Sequence, residues 1–186
     1  MAEEAKKVAE AASDEAVQEE PTLVEKLVAE GKVGLLPGEL PKDYQLVAKD
    51  YVHLHNHTHY SLLDGLTKID ELVDFVKEKG MEAVAVTDHG TMCGLVELFK
   101  TCEGAGIKPI LGLEAYVAAR NKEDRDPAYD KKRFHITLLA MNDKGFENLS
   151  RLLTDAEIDG KYYKPRTDHK DMEKYSEGVI CCSGCI

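Results

Sequence analysis

The chain has 186 residues, of which 43% are hydrophobic and 32% charged, and its formal net charge is −11. This length predicts one domain with an additional segment, or part of something larger, and it excludes a large multidomain machine. No run of about 18 apolar residues is present, which argues against a membrane span, and the negative charge offers no overall attraction to nucleic acid phosphates.

The beginning of the chain differs in composition from the rest. The first thirty residues include nine acidic and three basic residues, so −6 of the −11 lies there. Residues 1–20 lack the apolar segment of a secretion signal and are too acidic for an organellar transit peptide, so we expect a cytoplasmic location. A short amphipathic segment, residues 22–30, precedes a Gly- and Pro-rich stretch typical of a linker. We expect an acidic tail and linker at residues 1–50 and a domain at residues 51–186.

From Tyr51 onwards, short apolar segments typical of strands recur along the chain. These predicted strands are residues 52–57, 83–87, 108–113, 134–140 and 178–182. Counted from Val52, Ala83 and Pro109, the first three begin 26–31 residues apart, which is the spacing of βα units. This alternation implies a parallel sheet or barrel, so the predicted fold class is α/β.

Three amphipathic helices are predicted between these strands. The second of them is expected to end near Gly104 and Gly106. The predicted N-caps are Thr67, with Asp70 completing a capping box, then Thr91, then Asn142 or Asp143. The apolar stripes are Ile69, Leu72, Val73 and Val76; Met92, Leu95, Val96 and Phe99; and Phe146, Leu149 and Leu153.

Polar residues follow several predicted strands at their carboxyl ends, which is where parallel α/β barrels build their sites. In a strand, residues two apart point to the same side, so His55 and His57 can present two imidazoles to one metal ion. A lone pair of this kind is a weak signal. Asp64, His89 and Glu114 add the mixed nitrogen and oxygen ligands that suit zinc, manganese or iron. His135 is a candidate for a further imidazole ligand and Cys185 for a thiolate ligand.

Each of the additional candidates also has an ordinary structural explanation when it is considered alone. Asp64 fits a turn, His89 a cap beside a glycine, His135 a buried strand residue and Cys185 a small core residue. These explanations do not account for the shared position of the candidates at strand ends.

The five cysteines form an odd set without a secretion signal, so reduced thiols are expected.

Several long segments resemble one known family. They are YVHLHNHTHYSLLDGLTKIDELV, AVAVTDHGTMCGLVELFKTCEGAGIKPILGLEAYVA, FHITLLAMNDKGFENLSRLL, YYKPRTD and YSEGVICCSGCI. They resemble the PHP (polymerase and histidinol phosphatase) domain, and SLLDG, AGIKPILGLEAYV and YYKPR are similar to the branch at the N-terminus of bacterial replicative DNA polymerase III alpha subunits. The resemblance runs from about Tyr51 to Ile186.

This resemblance implies a distorted seven-stranded β/α barrel that holds a cluster of three metal ions, of zinc, manganese or iron. The family's metal ligands match His55, His57, Asp64, His89, Glu114, His135 and Cys185. The first six of these would also be the catalytic residues. Asp88 would orient one of the metal ligands without binding the metal itself, and His53 would support the same site. We expect His59 and His169 to be exposed.

The resemblance also implies a reaction. Metal ions lower the pKa of a bound water and neutralise charge on phosphoryl oxygens, so such a site hydrolyses phosphoesters. In the polymerase branch this resembles a 3′→5′ exonuclease that trims the primer end, with DNA, the rest of the alpha subunit and the replisome as partners. Two alternatives remain, a metal-binding module without catalysis and a free-standing phosphatase for small monoesters.

The chain departs from the family in two respects. The family's barrel continues to a later strand with an Asp-x-His pair of ligands, whereas this chain ends at Ile186. The palm and later domains of a DNA-directed DNA polymerase are also absent, so we expect an N-terminal fragment that cannot polymerise DNA by itself. Within YYKPR, Lys164 and Arg166 either contact phosphate or form a solvated pair.

Overall fold

The computed structural model describes residues 47–62 and 64–184. The predicted acidic tail and most of the predicted linker, including the amphipathic segment at residues 22–30, lie outside the described residues. Cys185 lies outside them as well. The described part begins with one turn of 3-10 helix, Ala48–Asp50, just before the predicted domain.

The described residues form helices and strands in alternation, which confirms the mixed α/β class. The helices are α1 Ile69–Glu78, α2 Leu95–Ala105, α3 Asp143–Ile158 and α4 His169–Lys174. The strands are β1 Ala83–Val86, β2 Lys108–Ala118, β3 Arg133–Ala140, β4 Arg166–Thr167 and β5 Val179–Ser183. Among these helices, none has the length and apolar character needed to cross a bilayer.

The described strands form one five-stranded sheet, in which β1, β2, β3 and β5 are neighbours in that order and β4 pairs with β2. Both β1 and β4 run parallel to β2, whereas β3 is antiparallel to β2 and to β5. The expectation of a parallel sheet is therefore wrong for β3. The connection from β2 to β3, residues 119–132, has no helix, and a parallel return usually needs a helical crossover.

The segment at residues 52–57 lies beside β1 without forming a regular strand. The backbone N–H groups of Ala85 and Thr87 donate to the carbonyls of His53 and Asn56, each at 2.9 Å. Between these bonds, the Asn56 side-chain amide donates to the carbonyls of His53 and Ala85. Because a side chain occupies part of the ladder, the predicted strand is correct in place but irregular.

The helix caps agree with the sequence at one of three helices. Asn142 caps α3, and its Oδ1 accepts from the backbone N–H three residues later at 3.0 Å. The other two predictions are wrong, because α1 has Lys68 as its N-cap and α2 begins after a glycine, in both cases without a side-chain cap bond. Thr67 lies one residue before the N-cap of α1, and its carbonyl accepts from the backbone N–H of His59. The Thr91 hydroxyl accepts from the backbone N–H of Cys93 in a turn before α2.

The first core lies between α1, α2, β1 and the start of β2. The buried positions of α1 include three of the four in the predicted stripe, namely Ile69, Val73 and Val76. Helix α2 buries Leu95, Leu98 and Cys102, whereas Val96 and Phe99 are 62% and 47% exposed. The predicted stripe of α2 is therefore wrong after Leu95. The buried residues that follow Leu95 are Leu98 and Cys102, three and seven positions further along the chain.

The second core determines which face of the sheet is available for a site. Leu113 and Ala115 of β2 and Leu138 of β3 pack with Leu149 and Leu152 of α3. Since successive strand residues point to opposite faces, the residues between them, including Glu114, point away from α3. The polar candidates in β2 and β3 therefore share the face that this helix does not cover.

Candidate metal centre

Glu114 lies at the centre of a group of histidines. Its side chain is fully buried, and its Oε2 lies 2.6 Å from the Nε2 atoms of both His55 and His57. The two Nε2 atoms are 3.1 Å apart. On its other side, His135 Nδ1 is 3.0 Å from Glu114 Oε1, and His89 Nδ1 is 3.6 Å from Oε2. Four imidazoles therefore surround one carboxylate.

The two strands bring Glu114 and His135 together by their register. In the antiparallel ladder, Glu114 is opposite Thr137 and Tyr116 is opposite His135, so Glu114 and His135 are diagonal neighbours on one face. His89 follows β1 and forms a single bridge with Glu114. The end of β1 thereby places the His89 ring at the same carboxylate.

Asp64 extends the cluster towards solvent. Its Oδ2 lies 3.0 Å from His89 Nε2, and its side chain is 56% exposed. Six of the seven predicted ligands therefore lie in one connected group, and the seventh, Cys185, is outside the described residues. Three sets have their donor atoms within 4.8 Å of one another: His55, His57 and Glu114; His57, Asp64 and His89; and His89, Glu114 and His135.

The electrostatics favour the protonation states that metal ligands need. Burial alone would raise the pKa of Glu114, but hydrogen bonds to His55 and His57 and the proximity of His89 lower it below its ordinary value. Burial lowers the pKa of His89, despite the opposing effect of Glu114. A charged carboxylate beside a neutral imidazole is the state that binds a cation.

One distance between donors is close to the spacing of ligands on a cation. Ligand atoms at about 2.0–2.1 Å from a tetrahedral zinc ion lie about 3.3–3.4 Å apart, and the His55 and His57 nitrogens are 3.1 Å apart. Both nitrogens lie only 2.6 Å from Glu114 Oε2, which is a direct hydrogen-bond distance. Buried His89 Nδ1 has no hydrogen-bond partner among the described residues, because its 3.6 Å distance to Glu114 exceeds hydrogen-bond length. The donor set and this unpaired nitrogen both fit a divalent metal.

Asp88 supports the site through a loop. It is 1% exposed, and it accepts from the backbone N–H and hydroxyl of Thr58 and from the hydroxyl of Ser61. Ser61 Oγ in turn accepts from the backbone N–H of His89. Sequence reasoning missed Thr58 and Ser61. They could have been sought near Asp88, because a buried carboxylate needs hydrogen-bond donors close to it.

The remaining histidines lie outside the three donor sets. His53 is half-buried, and its ring contacts Tyr51 edge-on with the centroids 4.8 Å apart. Its backbone carbonyl accepts from the backbone N–H of Ala85 in β1, so His53 contacts Tyr51 through its ring and β1 through its backbone. His59 and His169 are exposed, as expected.

Arg166 has a structural environment that the sequence did not indicate. It is fully buried, and its guanidinium donates to four backbone carbonyls. These belong to Gly160, Asp130, Lys122 and Asp124, at 2.7–3.2 Å. Both sequence alternatives, phosphate contact and a solvated pair, are therefore wrong for Arg166. Lys164 remains half-buried, with its Nζ 5.6 Å from the ring centroid of Tyr116.

Comparison with known proteins finds a matching family model and similar curated proteins. A family model described as "PHP domain" matches residues 53–186. The chain is 47% identical over 146 residues to the DNA polymerase III subunit alpha of Aquifex aeolicus, covering 75% of this chain and 13% of that protein. For the same subunit of Borreliella burgdorferi the identity is 44% over 137 residues, covering 73% and 12%. The chain thus spans only a small part of the length of these relatives.

The likeness to solved structures is weaker. An amidohydrolase from Chromobacterium violaceum, solved with bound sulfate and no metal, has a TM-score of 0.42 and 24% identity. The match covers 56% of this chain and 32% of the amidohydrolase. A likeness at this level is too distant to define the function of the site.

Proposed function

Because this chain belongs to the PHP domain family, we propose that its histidine and carboxylate cluster is a metal-dependent phosphoesterase site. The observation that carries the proposal is the approach of two imidazole nitrogens to one buried carboxylate oxygen, both at 2.6 Å. A buried carboxylate needs a partner of opposite charge, and a divalent cation held by these atoms would supply it.

The residues that would hold the metal are the six that the structure brings together, with Cys185 as a seventh. The six are His55, His57, Asp64, His89, Glu114 and His135. When bound, divalent ions lower the pKa of water and neutralise phosphoryl charge. We infer a cluster of three ions, of zinc, manganese or iron, from the resemblance to PHP domains; the three donor sets overlap, because they share His57, His89 and Glu114.

Residues of the chain would bind the metal and hold its ligands in position. Glu114 supplies a buried negative charge, while Asp88 fixes the loop that precedes Asp64. Tyr116 lies beside the imidazole of His135, with the ring centroids 5.0 Å apart. We infer that the five-stranded sheet is part of a seven-stranded barrel, and that residues 51–186, after a tail and linker at residues 1–50, form one part of that barrel.

We infer that the substrate is a DNA phosphodiester at a primer 3′ end. The support is the identity of 47% and 44% to DNA polymerase III alpha subunits. On this proposal the domain acts as a 3′→5′ exonuclease within a DNA-directed DNA polymerase. Its partners would be the DNA, the rest of the alpha subunit and the replisome.

The test uses the full chain loaded with Mn²⁺ after removal of metal by EDTA. Metal content is measured by mass spectrometry, and shortening of a 5′-labelled single-stranded oligonucleotide is followed on gels. We expect bound metal and 3′ shortening in the wild type, and loss of both in the His55→Ala/His57→Ala variant. The matched control is His169→Ala, which removes an exposed imidazole outside the site.

Three results would contradict parts of the proposal. Unchanged metal content in the double variant would refute the ligand assignment. Stoichiometric metal without hydrolysis of any phosphoester would identify a metal-binding module without catalysis. Hydrolysis of p-nitrophenyl phosphate with no effect on the oligonucleotide would identify a phosphatase for small monoesters.

A further inference from the structure

A cavity of about 660 Å³ opens beside the candidate metal centre. Asp64 and His89 form one part of its wall, and Lys161, Tyr163 and Lys164 form another. The latter three belong to the loop between α3 and β4. Pockets of about 300–1,000 Å³ accommodate small ligands, so the volume between His89 and this loop is sufficient for a nucleotide.

Two lysines of the loop line this cavity, although the chain as a whole is acidic. Lys164 Nζ lies 5.6 Å from the ring centroid of Tyr116, which also lines the cavity and lies beside His135. Arg133 is not among the lining residues, but its Cζ lies 5.5 Å from the same ring centroid. Among the described residues, neither cation has a carboxylate within ion-pair distance. Lys161 differs, because its Nζ contacts Glu157 at 2.7 Å. Lys164 and Arg133 therefore remain available to an anionic ligand.

Tyr163 adds an aromatic surface to the same loop. Its ring is 67% exposed, and its backbone φ of 64° lies in the left-handed region, which residues other than glycine rarely adopt. Arg166 holds the loop from behind, since its guanidinium donates to the Gly160 carbonyl and packs 5.2 Å from the Tyr162 ring. Tyr162 in turn contacts Tyr163. A strained backbone that is fixed by its surroundings is typical of functional positions.

Another cation lies close to the Tyr163 ring. Lys131 Nζ is 6.0 Å from the ring centroid of Tyr163, and Lys131 lies two residues before the start of β3. We call the group Lys131, Arg133, Tyr163 and Lys164 the cationic rim. It combines positive charges that attract phosphates with an exposed ring on which a base can stack, which are the two elements of single-strand binding sites.

We propose that the cationic rim binds the last nucleotides of a single DNA strand, with a base on Tyr163 and phosphates at Lys164 and Arg133. This inference rests on the proposed function, because it identifies what holds the substrate of the metal centre. A small phosphate monoester without a base would gain nothing from Tyr163. Stacking on a tyrosine tolerates any base, so binding is expected to be independent of sequence.

Fluorescence anisotropy with labelled decathymidylate tests the rim directly, with the full chain in EDTA and at several salt concentrations. We expect Tyr163→Gly to weaken binding at least about fivefold, while Tyr163→Phe binds as the wild type does. Glycine suits the positive φ of this position, so the loss would not come from backbone strain. We expect Lys164→Gln to reduce the slope of log K against log salt by about 0.7.

Matched controls come from exposed residues elsewhere. Tyr129→Ala removes a ring that is 65% exposed and does not line this cavity, and Lys77→Gln removes an exposed cation at the end of α1. Both should bind decathymidylate as the wild type does. Equal affinity of wild type and Tyr163→Gly, with an unchanged salt slope for Lys164→Gln, would overturn the proposal.

The binding test and the activity test can fail separately. A wild-type chain that binds decathymidylate in EDTA but never shortens it with Mn²⁺ would contradict the proposed hydrolysis and support the rim. A chain that hydrolyses bis(p-nitrophenyl) phosphate with Mn²⁺ but has no measurable affinity for decathymidylate would overturn the rim and leave the hydrolysis standing.

Discussion

Asp88 and Thr58 are joined by two hydrogen bonds. Asp88 Oδ1 accepts from the Thr58 backbone N–H at 2.6 Å, and Oδ2 accepts from the Thr58 hydroxyl at 2.8 Å. Ser61 donates a third bond at 2.6 Å and accepts from the backbone of His89. The end of β1 is thereby tied to the loop that leads to Asp64, so two candidate ligands depend on one buried carboxylate.

We expect Asp88→Ala to lower the free energy of unfolding by about 3 kcal/mol, because buried donors on Thr58 and Ser61 lose a charged acceptor. Affinity for Mn²⁺ should fall about 10–100-fold, as for other residues that position metal ligands. Urea denaturation and calorimetric titration measure the two effects. Asp70→Ala is the control, since its carboxylate is exposed and accepts from the backbone N–H of the next residue. Unchanged Mn²⁺ affinity in Asp88→Ala would contradict the positioning role.

Arg166 should tolerate even a conservative change poorly. Its fork of N–H groups reaches four carbonyls, and a lysine ammonium cannot satisfy this geometry. We expect Arg166→Lys to lower the free energy of unfolding by about 3 kcal/mol in urea, since buried carbonyls are left unpaired. The exposed Arg151 contacts Glu147, so Arg151→Lys should change stability by less than about 1 kcal/mol. Equal effects of the two changes would refute the structural role of Arg166.

Asp168 should contribute to the acid sensitivity of the fold. Burial would raise its pKa, but the backbone N–H groups of Asp171 and Lys122 donate to it at 3.1 and 3.2 Å, and the pKa lies below its ordinary value near 3.8. A lowered folded-state pKa stabilises the fold above the ordinary value, and this stability is lost as the pH falls through the folded-state pKa.

The change Asp168→Asn tests this contribution. Asparagine still accepts at the N-cap of α4 but does not titrate. Between about pH 5 and pH 2, the free energy of unfolding in urea should therefore fall less steeply in Asp168→Asn than in the wild type. Parallel pH profiles for the two proteins would show that this carboxylate does not contribute.

Cysteine reactivity should separate Cys102 from Cys93. Cys102 is fully buried in α2, and burial raises the pKa of its thiol to about 11, whereas Cys93 is exposed. Only the thiolate reacts with iodoacetamide. At about pH 8, peptide mapping should therefore find Cys93 modified and Cys102 unmodified, with Cys102 reacting only after denaturation. Modification of Cys102 in the folded protein would contradict the packing of α2.

Local patterns in the sequence determined much of the secondary structure and the pairing of two candidate ligands. The run AVAVT predicted buried β1, and Asn142 was one of two caps predicted for α3. The spacing of His55 and His57 placed two imidazoles together. Each of these properties depends on residues that are close in the chain, so a single sequence is sufficient to predict it.

The tertiary structure decided what depends on distant residues. The reversed direction of β3 follows from a connection without a helix, and the burial of Arg166 requires carbonyls that lie up to 44 residues away. The bonds from Thr58 and Ser61 to Asp88 span about 30 residues. Hydrophobic periodicity contains no information on such contacts, because buried polar groups find their partners only once the chain has packed.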